Sequence, residues 1–223
     1  MFPGFKSRYF FNLDQQVHKE KLESILDRSI ELFRNYGIRV ISMDDIARET
    51  GVSKKTIYQF VDNKPDLIRK CLDHAMQKFK CWMDDLDKRR LNAIEKLLEI
   101  SKRVNDEHEK FSPSNLFEMK KYYPEIFREH INEEKNLIYH YCKKNLENGI
   151  SEKLYRGDLD VELISQLYIQ KISAIHDGDF LNQADFSFDR IFEVMFENHI
   201  RGIANKSGIK YFEKRKEQLN FNQ

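Results

Sequence analysis

The sequence predicts an all-α protein with an N-terminal three-helix head and a larger C-terminal helical body. Only 8 glycines and 4 prolines occur in 223 residues, too few for the turns that a sandwich or barrel needs. Charged residues make up 34% of the chain, which suits amphipathic helices with solvated outer faces. Hydrophobic residues, at 40%, recur at spacings of three and four and suffice for a core of ordinary size.

Taken in order, residues 1–16 read as a flexible arm, because Pro3, Gly4, Lys6 and Arg8 interrupt the aromatic run and leave no apolar segment for export. Over 17–36, Leu22, Ile25, Leu26, Ile30 and Phe33 line one helical face, and Gly37 supplies a left-handed stop. Ser42 with Asp45 reads as a capping box opening a short helix that ends before Gly51. Ser53 caps a second short helix, carrying Ile57 and Phe60 inward and ending near Asp62. Asn63 caps a long fourth helix with Pro65 in its first turn and an apolar spine from Leu67 to Leu86.

Further helices are expected over 91–104, from Ser112-Pro113, over 124–148 with Gly149 as stop, and over 159–175 closed by Gly178. Another is expected over 188–201, stopped by Gly202, followed by the basic tail IKYFEKRKEQ. No repeat or low-complexity stretch breaks the pattern.

Several function classes are disfavoured. The net charge is +1, so a nucleic-acid role must rest on a local patch. Cys71, Cys81 and Cys142 lie far apart without CxxC spacing, which fits reduced thiols and a cytoplasmic location. No apolar run approaches the length that crosses a bilayer. The seven histidines form no HExxH or HxH pattern, and His176 with Asp177 and Asp179 reads as a helix end beside Gly178. Phosphate-binding glycine loops and the GxSxG elbow are absent. The expectation is therefore no metal, no cofactor and no enzymatic activity.

The stretch MDDIARETGVSKKTIYQFVD, residues 43–62, carries the functional signal. Its spacing is that of a helix-turn-helix. Ile46 and the small Ala47 lie on the first helix, Gly51 makes the turn, Val52 plugs the angle, and Ile57 and Phe60 hold the second helix inward. That leaves Ser53, Lys54, Lys55, Thr56, Tyr58 and Gln59 facing outward, a set of cations, hydroxyls and an amide suited to phosphates and base edges.

The segment ISMDDIARETGVSKKTIYQFVDNKPDLI, preceded by LFRNYG, resembles the tetracycline-repressor (TetR) family of bacterial transcriptional regulators over about residues 18 to 70. The resemblance implies a head over 17–64 that reads double-stranded operator DNA, and a body over 65–223 that binds a small-molecule effector and forms a homodimer. It also implies repression relieved by that effector. Ser42 and Met43 match the start of the family's second helix, 53–59 its recognition helix, and Lys64 the phosphate-gripping lysine that opens the fourth. Lys55 stands where many members carry Gly or Ala, so the operator cannot be carried over from a relative. A rival reading makes the head a packing element on a helical binding or enzymatic body.

In the body, Trp82, Phe117, Tyr122, Tyr123, His140 and Tyr168 are the expected lining of an apolar or aromatic ligand pocket. The helices over 159–175 and 188–201 are the expected dimer interface, with Leu167, Tyr168, Phe192, Met195 and Phe196 at its centre.

Overall fold

The structure, a computed structural model, describes residues 4–108, 113–176 and 187–218. These form ten helices and no strand; an isolated antiparallel bridge pairs Tyr155 with Ala204. The helices are α1 (Gly4–Tyr36), α2 (Met43–Thr50), α3 (Lys54–Ile57), α4 (Lys64–Lys88) and α5 (Ala93–His108). They continue with α6 (Pro113–Tyr122), α7 (Pro124–Ser151), α8 (Val161–His176), α9 (Phe188–Ile203) and α10 (Lys206–Gln218).

The stretch expected as a loose arm is helical from Gly4 onward. Between Phe5 and Tyr36 there is neither glycine nor proline, so nothing in the chain interrupts the ladder of backbone bonds. Gly37 and Gly51 take positive φ, 93° and 68°, and stop α1 and α2 as expected.

Gly149 and Gly202 do not act as stops. Helix α7 runs through Gly149 to Ser151, and Lys153 takes the left-handed conformation instead, at φ 60°. The glycine is needed for space, since a Cβ there would lie 2.1 Å from the Tyr155 ring. Helix α9 passes Gly202 and ends where Ala204 turns extended and its N–H donates to the Ile200 carbonyl. Gly178, with Asp177 and Asp179, lies outside the described residues.

Packing divides the chain into two units, Met1–Cys81 with Lys110–His130, and Trp82–Glu109 with Ile131–Gln223. The division falls within α4 and α7. In the first unit Ile25, Phe33, Ile46, Ile57, Phe60, Leu67 and Ile68 share a core with Met119 of α6 and Ile126 of α7. In the second, Ile94, Leu98, Leu146, Phe192, Phe196, Ile200 and Phe212 surround Tyr155. The Tyr155 hydroxyl donates to Asn145 Oδ1 at 2.9 Å, and Asn145 Nδ2 donates to the Ala93 carbonyl at 2.9 Å. This chain of buried bonds satisfies polar groups whose burial would otherwise be costly.

Candidate nucleic-acid interface

The helix-turn-helix is built from local devices that the sequence announces. At the start of α2 the Ser42 hydroxyl accepts from the Asp45 N–H, and the Asp45 carboxylate accepts from the Ser42 N–H at 3.0 Å, completing the capping box. Hydrogen bonds from the Ser42 hydroxyl and backbone, and from Arg48, hold the Asp45 carboxyl down at about 2. Gly51 then makes the corner, its N–H reaching the Ala47 and Arg48 carbonyls. Val52 packs half-buried against the core, and the Val52 N–H donates to the Ala47 carbonyl at 3.2 Å.

Helix α3 is a single turn. Ser53 caps it by accepting from the Thr56 N–H, and Tyr58 closes it, so the segment to Phe60 continues as turns. Ile57 is fully buried and Phe60 is buried beside it, which fixes the outward direction of the residues between them.

The candidate DNA contacts divide into three sets. Ser53, Lys54, Lys55, Tyr58 and Gln59 are exposed, and Thr56 is half-buried with its hydroxyl 2.9 Å from that of Ser53. Lys54 is ion-paired with Asp44 of α2 at 2.9 Å, which raises its pKa and offsets part of its charge. Met43 is buried in the head's core, whereas the adjacent Ser42 is exposed. Lys64 is half-buried, and its ammonium donates to the carbonyls of Arg39 at 3.3 Å and Ile41 at 2.5 Å. Burial lowers its pKa against the opposing pull of Glu118 and Asp45.

Arg39, Glu118 and Asn115, which carry no local signal, and Tyr122, expected in a ligand pocket, hold the approach to α2. The Arg39 N–H donates to a Glu118 carboxylate oxygen at 2.8 Å. Its guanidinium donates to the Tyr122 hydroxyl at 2.8 Å and lies 4.7 Å from that ring's centre. Asn115 Nδ2 donates to the Arg34 carbonyl at 3.3 Å. These pairs are separated by 79 to 83 residues in the chain, and no local pattern reports such a contact.

Of the six aromatic and histidine residues expected to line a ligand pocket, three lie in each unit. Phe117, Tyr122 and Tyr123 belong to the first unit, where Tyr123 packs on the head's core and Phe117 is exposed. Trp82, His140 and Tyr168 belong to the second. There Arg103 stacks over Trp82 at 4.5 Å, His140 is exposed, and Tyr168 lies with its ring centre 4.1 Å from that of His199.

The residues expected at the dimer centre differ in burial within the single chain. Phe192 and Phe196 are buried within their own unit, at 7% and 6% exposure, and Tyr168 and Met195 pack half-buried on the same core. Among the described residues of these two helices, the exposed large apolar side chains are Leu163 and Leu167 on α8, at 54% and 50%, and Val194 on α9, at 42%. Of the five residues expected, Leu167 is exposed, Tyr168 and Met195 are half-buried, and Phe192 and Phe196 are buried.

A helical head whose capped helix-turn-helix presents a polar and basic face defines a DNA-binding protein of the helix-turn-helix class. Residues 25–71 match the family model described as "Bacterial regulatory proteins, tetR family". The chain is 26% identical over 192 residues to the fatty acid metabolism regulator protein of Bacillus subtilis, covering 84% of this chain and 98% of that protein. The structure of the Bacillus subtilis regulator FadR in complex with stearoyl-CoA superposes with a TM-score of 0.56 at 24% identity, over 81% of this chain and 98% of that one. A Saccharomonospora viridis transcriptional regulator in complex with choline superposes with a TM-score of 0.63 at 18% identity, over 84% and 100% of the two chains. Residues 25–71 thus carry a DNA-binding head like that of the tetR family of bacterial regulatory proteins, and the chain is a DNA-binding transcriptional regulator.

Proposed function

We propose that this regulator is a homodimeric repressor that leaves its operator when its body takes up a small ligand with a substantial apolar part. The observation that carries the DNA side is the outward face of 53–59, where Lys55, Tyr58 and Gln59 stand exposed around the buried anchors Ile57 and Phe60. In this reading Ser42, Ser53, Lys54, Thr56 and Tyr58 meet backbone, and Lys55 and Gln59 reach base edges. One head reads too few base pairs to be selective, so two heads at a fixed spacing are required.

The ligand side draws support from the fatty acid regulator of Bacillus subtilis and its stearoyl-CoA complex. Effector binding shifts the population away from the DNA-competent spacing through α4, which both units share. The protein acts by binding alone, in the cytoplasm where its operator lies.

Selection from a randomised duplex library tests this. The wild-type protein is expected to enrich a two-fold symmetric site, to lose affinity steeply with salt, and to release it on addition of a long-chain acyl-CoA. No enriched sequence would overturn the repressor reading. Enrichment without release by acyl-CoA would overturn the ligand class alone.

A further inference from the structure

Residues 38–42 lead into α2, and the structure holds the backbone of Arg39 on both sides. Its N–H donates to the Glu118 carboxylate at 2.8 Å, and its carbonyl accepts from the Lys64 ammonium at 3.3 Å. The same ammonium takes the Ile41 carbonyl at 2.5 Å, one residue before the Ser42 cap. The Ile38 and Ile41 side chains are buried in the head's core. Lys64 is the first residue of α4, immediately after the recognition segment. Its two bonds therefore tie the strand of chain that enters the helix-turn-helix to the chain that leaves it, closing a loop of 23 to 25 residues.

We infer that Lys64 and Glu118 are positioning residues for DNA reading, acting through the backbone of residues 39–41 and not by touching DNA. A lysine ammonium has three N–H donors, and two of them are committed to carbonyls. Its stem is half-buried, and the ammonium lies 6.0 Å from the centre of the Phe33 ring. To turn more than its one remaining N–H toward a phosphate it would have to abandon acceptors that hold the entry to α2. Glu118 reaches the same peptide from α6, outside the helix-turn-helix, and the Arg39–Tyr122 contact braces that approach. The angle of α2, and with it the seat of α3, is set by this clamp.

The two roles differ in salt dependence. A phosphate contact releases counterions, so losing one lowers the slope of log affinity against log salt by about 0.9. A positioning residue lowers affinity and leaves the slope unchanged. The probe is the duplex that the wild-type protein selects from a random library. Lys64→Met, near in length and without donors or charge, is expected to weaken binding by about tenfold, the worth of a charge-assisted hydrogen bond, at constant slope. Lys55→Met serves as the exposed-cation control and is expected to lower the slope.

Glu118→Ala supplies a second, independent sign. Removing a carboxylate that only repelled DNA would strengthen binding. The clamp predicts weaker binding at constant slope, largely rescued in Glu118→Gln, whose amide oxygen still accepts from Arg39. A reduced slope in Lys64→Met, or unchanged or stronger binding in Glu118→Ala, overturns the inference. If Lys64→Met fails to fold by circular dichroism, the Glu118 pair decides. The inference rests on DNA binding by the head: failure of the wild-type protein to select any duplex would defeat that reading, whereas selection followed by either contrary variant result defeats the clamp alone.

Discussion

His199 on α9 shows how strongly one residue's surroundings act. It is buried against Tyr168, with Lys171 as the charged group acting on it, and burial drives its pKa down to about 4. The folded protein thus keeps the ring neutral where the unfolded chain, at its ordinary value of about 6.5, already binds a proton. The stability this neutral ring retains is fully present above about pH 6.5 and is lost as pH falls toward about 4, at up to about 1.4 kcal/mol per pH unit. Thermal unfolding followed from pH 7.5 to 4.5 is expected to show that decline, and His199→Phe is expected to flatten it. An equally steep decline in the variant would show that other groups carry it. The Asp45 carboxyl, held at about 2 by its capping bonds against an ordinary value of 3.8, contributes only at the acid end of this range.

Among the elements, α7 departs most from what its composition suggests. A glycine two residues from a helix end ordinarily signals termination, yet Gly149 remains helical, and its missing Cβ leaves the space that the Tyr155 ring occupies. The Leu154 and Tyr155 N–H groups both donate to the Gly149 carbonyl, folding the chain back over the helix end. Tyr155 is also held by its bond to Asn145, so the ring cannot swing away freely. Gly149→Ala is therefore expected to destabilise the protein by about 2 kcal/mol through overpacking, although alanine is the better helix former. Chemical denaturation measures it. A neutral or stabilised variant would mean that the glycine serves only the helix end.

At the scale of the whole molecule, the exposed apolar side chains identify the surface proposed to pair two copies. Leu163 and Leu167 lie one turn apart on α8, while Phe192 and Phe196 are already committed to their own core. Leu163→Glu with Leu167→Glu is expected to give a folded monomer by sedimentation, with operator binding lost. Substituting Phe196 by Asp is expected to unfold the second unit, since it leaves an unpaired charge in a packed interior. A dimer persisting in the double Glu variant would place the interface elsewhere.

The sequence by itself determined the elements whose signals are local. The Ser42–Asp45 box, the Gly51 corner, the Ser53 cap and the buried Ile57 and Phe60 all act within a few residues of one another, so their spacing carries the helix-turn-helix and its outward face. Tertiary structure alone decided which surfaces the amphipathic helices share. An apolar stripe states that a face is buried, not against what, so Phe192, Phe196, Tyr122 and Tyr123 could not be sorted from the letters. The same holds for Lys64: a lysine opening a helix reads as a surface cation, and only the fold brings the carbonyls of residues 39 and 41 to its ammonium and Glu118 to the peptide beside it. Such contacts join residues far apart in sequence, where the energy depends on distances that no local pattern encodes.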